Sequence, residues 1–129
     1  MGYKLLVVGD ERMAFSKKFR LKRKDVRNIF IGSRRFSSAV GTFFLKKNGF
    51  LFSRFGFAVP VAVSRKSNIR NKIKRMALER VRINLSDIVA GFDILIIFKK
   101  EVVNMTKREF YKQLQESFIK AGIFKGLVY

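Results

Sequence analysis

Gly91-Phe92-Asp93-Ile94-Leu95-Ile96-Ile97-Phe98-Lys99 is the stretch that decides the fold. Glycine and lysine bound a short run of branched and aromatic side chains, and that length and composition argue for a buried central strand, not a helix. Upstream of it, Ser67 or Asn68 can cap a helix that begins Ile69-Arg70-Asn71-Lys72-Ile73-Lys74-Arg75. At the helical period Ile69, Ile73, Met76, Ala77 and Ile83 share one stripe. Arg70, Asn71, Lys74, Arg75 and Arg82 fill an arc of about 140° on the other side. Arg80 falls inside the apolar stripe and must snorkel or find a partner. The spacing therefore predicts a helix that buries one face and turns a cationic fork to solvent.

Before that helix, a strand is expected from about Phe50 to Val61, carrying Phe50, Phe52, Phe55, Phe57 and Val59. Ser53-Arg54 shifts its alternation and marks a candidate bulge, and Pro60 belongs at a strand end or an edge. Strand, helix and strand over residues 54–98 imply a parallel pair joined by the basic helix.

Farther out, residues 37–46 favour another strand, and Lys47-Asn48-Gly49 is a hairpin signal, since Asn-Gly supplies the positive φ angles of a type I′ turn. Asp25 can cap a short helix running to about Ile31, with Val26, Ile29 and Phe30 on one face and Gly32 stopping it. Residues 13–24 form a basic arm that includes Lys17, Lys18, Arg20, Lys22 and Arg23. At the other end Thr106-Lys107-Arg108-Glu109 is a capping box. Phe110, Leu114, Phe118 and Ala121 recur at helical spacing, Gly122 ends the helix, and this aromatic stripe reads as core packing rather than a base-stacking platform. The expected architecture is an α+β sandwich of helices against a small sheet, in one domain over residues 13–129 with residues 1–12 as a looser extension.

Charge sets the class of partner. Lys and Arg number 29 against 9 Asp and Glu, a formal net charge of +20. That much like charge repels itself in a compact chain, and a polyanion such as nucleic acid is the partner that neutralises it. With no Cys, disulfides and thiolate metal sites are excluded; with no His, so are His-ligated metals and His-based acid–base or nucleophilic catalysis. Only Asp10 and Glu11 are adjacent among the carboxylates. Nothing therefore advertises a catalytic centre or a metal site within the chain. No run of about 18 apolar residues is present, and the opening residues are too short an apolar run for a signal peptide, so the expected location is cytoplasmic. Arginine on an exposed helix suits phosphate because its planar fork binds two oxygens at once, and Asn71 can reach a sugar or a phosphate.

The string Arg70-Asn71-Lys72-Ile73-Lys74-Arg75, with Glu79 after it, resembles the signature helix of the bacterial ribonuclease P protein subunit, which typically reads Arg-Asn-Arg-x-Lys-Arg. Upstream, Phe19-Arg20-Leu21 followed by Val26 and Ile29-Phe30 resembles the family's first helix, and Gly56-Phe57-Ala58-Val59 its strand before the basic loop. Downstream, the run from Gly91 resembles the family's Asp-led hydrophobic strand. Lys72 stands where a second Arg is usual, Leu78 where an Arg precedes the Glu, Val26 where an aromatic is common, and Val61-Ala62 where a Lys-Lys pair is usual; basic residues return at Arg65-Lys66.

The resemblance implies an α-β-β-β-α-β-α order with a left-handed β-α-β crossover, a fold like domain 2 of ribosomal protein S5. It implies a subunit of an endoribonuclease whose RNA, using Mg²⁺, removes the 5′ leader of precursor tRNA. Ribonuclease P RNA and precursor tRNA would be the partners. Arg65, Lys66, Arg70, Asn71, Lys72, Lys74, Arg75 and Arg82 would contact RNA, and Val26, Phe30 and Phe43 would line a cleft for the leader. A ribosomal-type structural RNA-binding protein is the alternative, and a protein-only nuclease is disfavoured by the missing His and the scattered carboxylates.

Overall fold

The computed structural model describes residues 5–6 and 17–125. The Asp10–Glu11 pair, most of the expected N-terminal extension and the start of the basic arm lie outside those residues. Among these residues five strands occur in chain order: β1 (Leu5–Leu6), β2 (Arg34–Ser37), β3 (Gly41–Lys47), β4 (Arg54–Ala58) and β5 (Phe92–Phe98). Three α-helices accompany them: α1 (Arg23–Ile29), α2 (Ser67–Ile83) and α3 (Lys107–Ala121). The sheet order is β1-β4-β5-β3-β2. Apart from the two-residue β1, which pairs with β4, the element order is the expected α-β-β-β-α-β-α.

β5 is the central strand that its sequence predicts. It pairs antiparallel with β3 along its whole length and parallel with β4 through the α2 crossover. The insertion of β5 between β3 and β4 overturns the hairpin expected at Asn48-Gly49, because β3 and β4 are not neighbours. The Asn-Gly pair instead shapes a loop. Gly49 has φ 76°, Asn48 Oδ1 accepts from the Phe50 amide at 2.8 Å, and Asn48 Nδ2 donates to Asp93 at 3.0 Å. The hairpin lies earlier and splits the strand expected over residues 37–46 into β2 and β3. There Ser38 Oγ and the Ser38 amide both donate to the Gly41 carbonyl. A Cβ on Gly41 would lie 2.1 Å from the Ile97 carbonyl oxygen, so the strands approach too closely for any side chain.

Each face of the sheet has its own cover. Phe43, Leu45, Phe55, Phe57, Ile94, Ile96 and Phe98 point to the side of α2 and α3, where Ile73, Ala77, Leu78, Val81, Phe110, Leu114 and Phe118 meet them. Full burial of each such side chain stabilises by about 1.5–3 kcal/mol. The capping box of α3 forms as expected, with the Glu109 amide donating to Thr106 Oγ1 at 3.1 Å, and Gly122 ends that helix in the left-handed region at φ 76°. Phe118 meets Phe43 edge-on at 5.7 Å, which fits the core role expected of the α3 stripe. On the opposite face the short α1 lays Leu21 and Ile29, with Val26 and Phe30, against Phe44, Leu95 and Ile97.

One ionic cluster holds α1 to the sheet. Arg54 of β4 makes a two-pronged contact with Asp93 of β5, at 2.8 Å from Nε and 2.7 Å from Nη2. Its Nη1 reaches Asp25 of α1 at 3.1 Å. Asp25 is not the cap residue that its sequence suggests. It lies in the first turn and accepts from the Lys22 amide at 3.1 Å, so it ties off the helix start as well as the arginine. The hydrogen bond to Asp93 raises the Arg54 pKa against the opposing effect of desolvation, and both carboxylates add to the rise. A raised pKa means that this contribution is present below the unfolded value and is lost only in strongly alkaline solution. Among the described residues no helix is long and apolar enough to cross a membrane.

Removing one partner of such a cluster strands the others in a partly dry site. Asp93→Ala is expected to lower the unfolding free energy by on the order of 3 kcal/mol in urea denaturation. Arg54→Ala should cost a similar amount, and the two losses should not add, because they belong to one network.

Candidate nucleic-acid interface

The basic helix α2 begins at Ser67, so neither Ser67 nor Asn68 caps it; Lys66 holds the cap position and no side chain caps that end. No acidic residue sits in its first turn. The positive pole of the helix is thus left without a counter-charge from its own first turn, beside Arg65 and Lys66, which are exposed.

The buried face of α2 is rotated from the one expected. It consists of Arg70, Ile73, Lys74, Ala77, Leu78 and Val81. Leu78 and Val81 draw the buried arc round the helix, and at 100° per residue it spans about 140° with Arg70 near its middle. Arg70 is 8% exposed and Lys74 6% exposed, so these two predicted contacts belong to the underside of the helix rather than to its outer ridge. Arg70 Nη1 donates to the Ser64 carbonyl at 2.8 Å, which makes it a brace for the loop that presents Arg65 and Lys66. The exposed arc comprises Asn68, Asn71, Lys72, Arg75 and Arg82. Ile83, placed in the apolar stripe by its spacing, is 54% exposed. Arg82 shares its charge with Glu79 at 2.8 Å, an exposed pair of small energetic weight. Arg80 finds its partner in α3, stacking over Tyr111 at 4.9 Å.

The second candidate surface lies on the α1 side of the sheet. Val26 and Phe30 are there, partly buried. Phe43 is not: it is fully buried on the opposite face against α3, because neighbouring strand residues point to opposite faces. Phe44 takes the position expected of Phe43. Phe30 meets it edge-on at 4.9 Å, and the exposed Arg35 sits over its ring at 5.5 Å. Lys46 is on this face too, with Nζ donating to the Asn28 carbonyl at the end of α1. Of the basic arm, Lys18, Lys22 and Arg23 are exposed, while Arg20 joins β4 through a bridge to Phe55 and is partly buried. Lys17 belongs to a short 3-10 turn, Lys17–Phe19.

Phe44, Arg35 and Lys46 are absent from the sequence-derived set. The β3 sequence gave no alternation from which to choose between Phe43 and Phe44, since residues 43–45 are all buried. Among the described residues no group of three or more Asp or Glu gathers to hold a metal ion.

The two classes of cation on α2 should separate in thermal unfolding. Lys72→Ala and Arg75→Ala are expected to change stability by less than about 0.5 kcal/mol, as surface substitutions do. Arg70→Ala should cost about 1–3 kcal/mol, because the Ser64 carbonyl loses its partner and a buried stem leaves a void.

The sequence profile of the family described as Ribonuclease P matches residues 15–122. The ribonuclease P protein component of Clostridium botulinum (strain 657 / Type Ba4) is 31% identical over 108 residues, covering 80% of this chain and 93% of that protein. The same component from Fusobacterium nucleatum is 30% identical over 105 residues, covering 81% and 92%. The solved RNase P protein from Thermotoga maritima is similar in fold, with a TM-score of 0.71 at 27% identity over 78% of this chain and 96% of that one. A Staphylococcus aureus RNase P protein shares the fold with a TM-score of 0.77 at 23% identity, covering 83% and 98%. These matches do not favour the ribosomal-type alternative. With its helix order, its sheet and the greater part of its length matched, the chain belongs to the ribonuclease P protein family.

Proposed function

We propose that residues 13–129 act as one RNA-binding domain, the protein subunit that docks on ribonuclease P RNA and assists removal of the 5′ leader from precursor tRNA in the cytoplasm. The observation that carries this reading is the outer ridge of α2, where Asn71, Lys72 and Arg75 stand exposed beside Arg65 and Lys66 on a chain of net charge +20. Arg75 offers a planar fork and the lysines offer point charges, which together suit a run of phosphates more than a base edge. Phosphodiester hydrolysis is assigned to the RNA. This chain supplies no His or Cys, and two of its acids, Asp25 and Asp93, are committed to Arg54. Among the described residues no cluster of three or more acids gathers, and Mg²⁺, a hard cation that takes several oxygen ligands, is assigned to the RNA as well.

The leader is assigned to the α1 side of the sheet, with Phe44 in place of Phe43 beside Val26 and Phe30. The partly buried Phe30, backed by the buried Phe44, would stack bases without selecting sequence, and Arg35 and Lys46 would meet the backbone. Arg70 and Lys74 serve the site from beneath, by shaping the loop and the helix that carry the outer cations.

Reconstitution tests the reading. The protein is expected to stimulate cleavage of precursor tRNA by its cognate ribonuclease P RNA at low Mg²⁺, and no stimulation would contradict it. Affinity for that RNA should fall steeply with salt, each neutralised phosphate adding about 0.7–0.9 to the log–log slope. Arg75→Ala should flatten the slope by roughly one unit. Arg70→Ala should leave the slope nearly unchanged at a temperature where the variant remains folded.

A further inference from the structure

The loop between β3 and β4 carries apolar side chains that the core does not use. Leu51 is 95% exposed and Phe50 is 47% exposed. Phe50 stacks on Phe52 at 5.4 Å with the rings 8° from parallel, and Phe19 meets Phe52 edge-on at 5.7 Å. Cations flank these rings: Lys18 Nζ lies 5.4 Å from the Phe52 ring centre, and the Arg54 guanidinium 4.8 Å from that of Phe50. Next to the cluster is an open groove of about 500 Å³, lined by Leu51 and Phe52 of the loop together with Arg82, Ile83, Ile88 and Lys125. No carboxylate is among the residues that line it.

Two features of this place decide its occupant. The first is continuity with the ridge of α2. Arg82 lies on the same exposed arc as Arg75, seven residues on, about 10 Å along the axis. A polyanion that follows the ridge therefore arrives at the groove. The second is that the α2 side of the groove lies across the sheet from Val26, Phe30 and Phe44, while Phe50, at the loop's far edge, borders the Arg54 cluster that also holds α1. Apolar ring faces beside cations match a nucleotide, whose base is flat and whose phosphate is charged, and RNA bases are stacked in this way only where they are unpaired.

We infer that the groove between Leu51, Phe52 and Ile83 takes an unpaired nucleotide of the ribonuclease P RNA, with its base against the aromatic loop and its phosphates toward Arg82 and Lys125. The inference rests on the proposed docking of that RNA along α2. It gives the β3–β4 loop a role in gripping the RNA that the charge pattern alone does not supply.

A photoreactive benzophenone residue at position 51, in the full chain assembled with its ribonuclease P RNA and precursor tRNA, tests it. The side chain there is exposed, so the fold is not at stake. The expected result is a crosslink to an unpaired nucleotide of the ribonuclease P RNA. A crosslink to the leader, to a second copy of the protein, or to nothing would overturn the inference, provided that the same group at position 72 crosslinks to the RNA. If position 72 also stays silent, the docking of α2 itself fails, and the inference falls with it. In parallel, Phe50→Ala and Leu51→Ser should each weaken binding to the ribonuclease P RNA by about 5–30-fold without changing the salt slope, because stacking neutralises no phosphate. Unchanged affinity in both variants would likewise overturn it.

Discussion

The position of β5 is the constraint on which the rest of the structure depends. Its seven residues carry apolar side chains on both faces, so it is stable only with a strand on each side and a helix layer above and below. The parallel pairing with β4 forces a crossover, and α2 is that crossover. α2 therefore cannot be a free basic helix. It must cover the sheet with one side, and that side is chosen by Leu78 and Val81 as much as by Ile73 and Ala77. The outward direction of Lys72 and Arg75 follows from this packing.

Among the described residues, the other face of β5 has only the seven-residue α1 as a helix to cover it. That helix is too short to be stable alone, and tertiary contacts must hold it. Phe44 and Leu95 supply the apolar part, and the Arg54 cluster supplies the rest. Asp93 is thus more than the first acid of a hydrophobic strand. It gathers Arg54 and Asn48, and through Arg54 it fixes Asp25. The same arginine touches Phe50, so the loop between β3 and β4 is set by the cluster that also places α1. In a chain this rich in cations, two of the few acids, Asp25 and Asp93, and the Asn48 amide do the joining.

Where a local signal is also the structural cause, the sequence was legible. β5 was readable because a short branched run between Gly91 and Lys99 has few other ways to fold. The cap at Thr106 and the stop at Gly122 were readable because both depend only on neighbours in the chain. Asn48-Gly49 misled because the same backbone geometry serves a hairpin or a loop, and β5, distant in sequence, decides which. Phe43 and Phe44 could not be told apart because both sides of β3 are buried, and a one-residue shift exchanges faces. On α2, omitting Leu78 and Val81 from the apolar stripe set its phase wrong, and Arg70 and Lys74 were assigned outward. The resemblance named the family correctly while leaving the direction of those two side chains to packing.

The central claim is that the outer arc of α2, and not its underside, meets the RNA. Because the chain has no Cys, a single Lys72→Cys substitution provides one attachment point for a tethered iron chelate that generates hydroxyl radicals. In the assembled ribonucleoprotein that probe should cut the ribonuclease P RNA at a small, local set of nucleotides, whereas the same probe at the exposed Ile119 of α3 should cut it weakly or not at all. Silence from position 72, or equal cutting from both positions, would contradict the account.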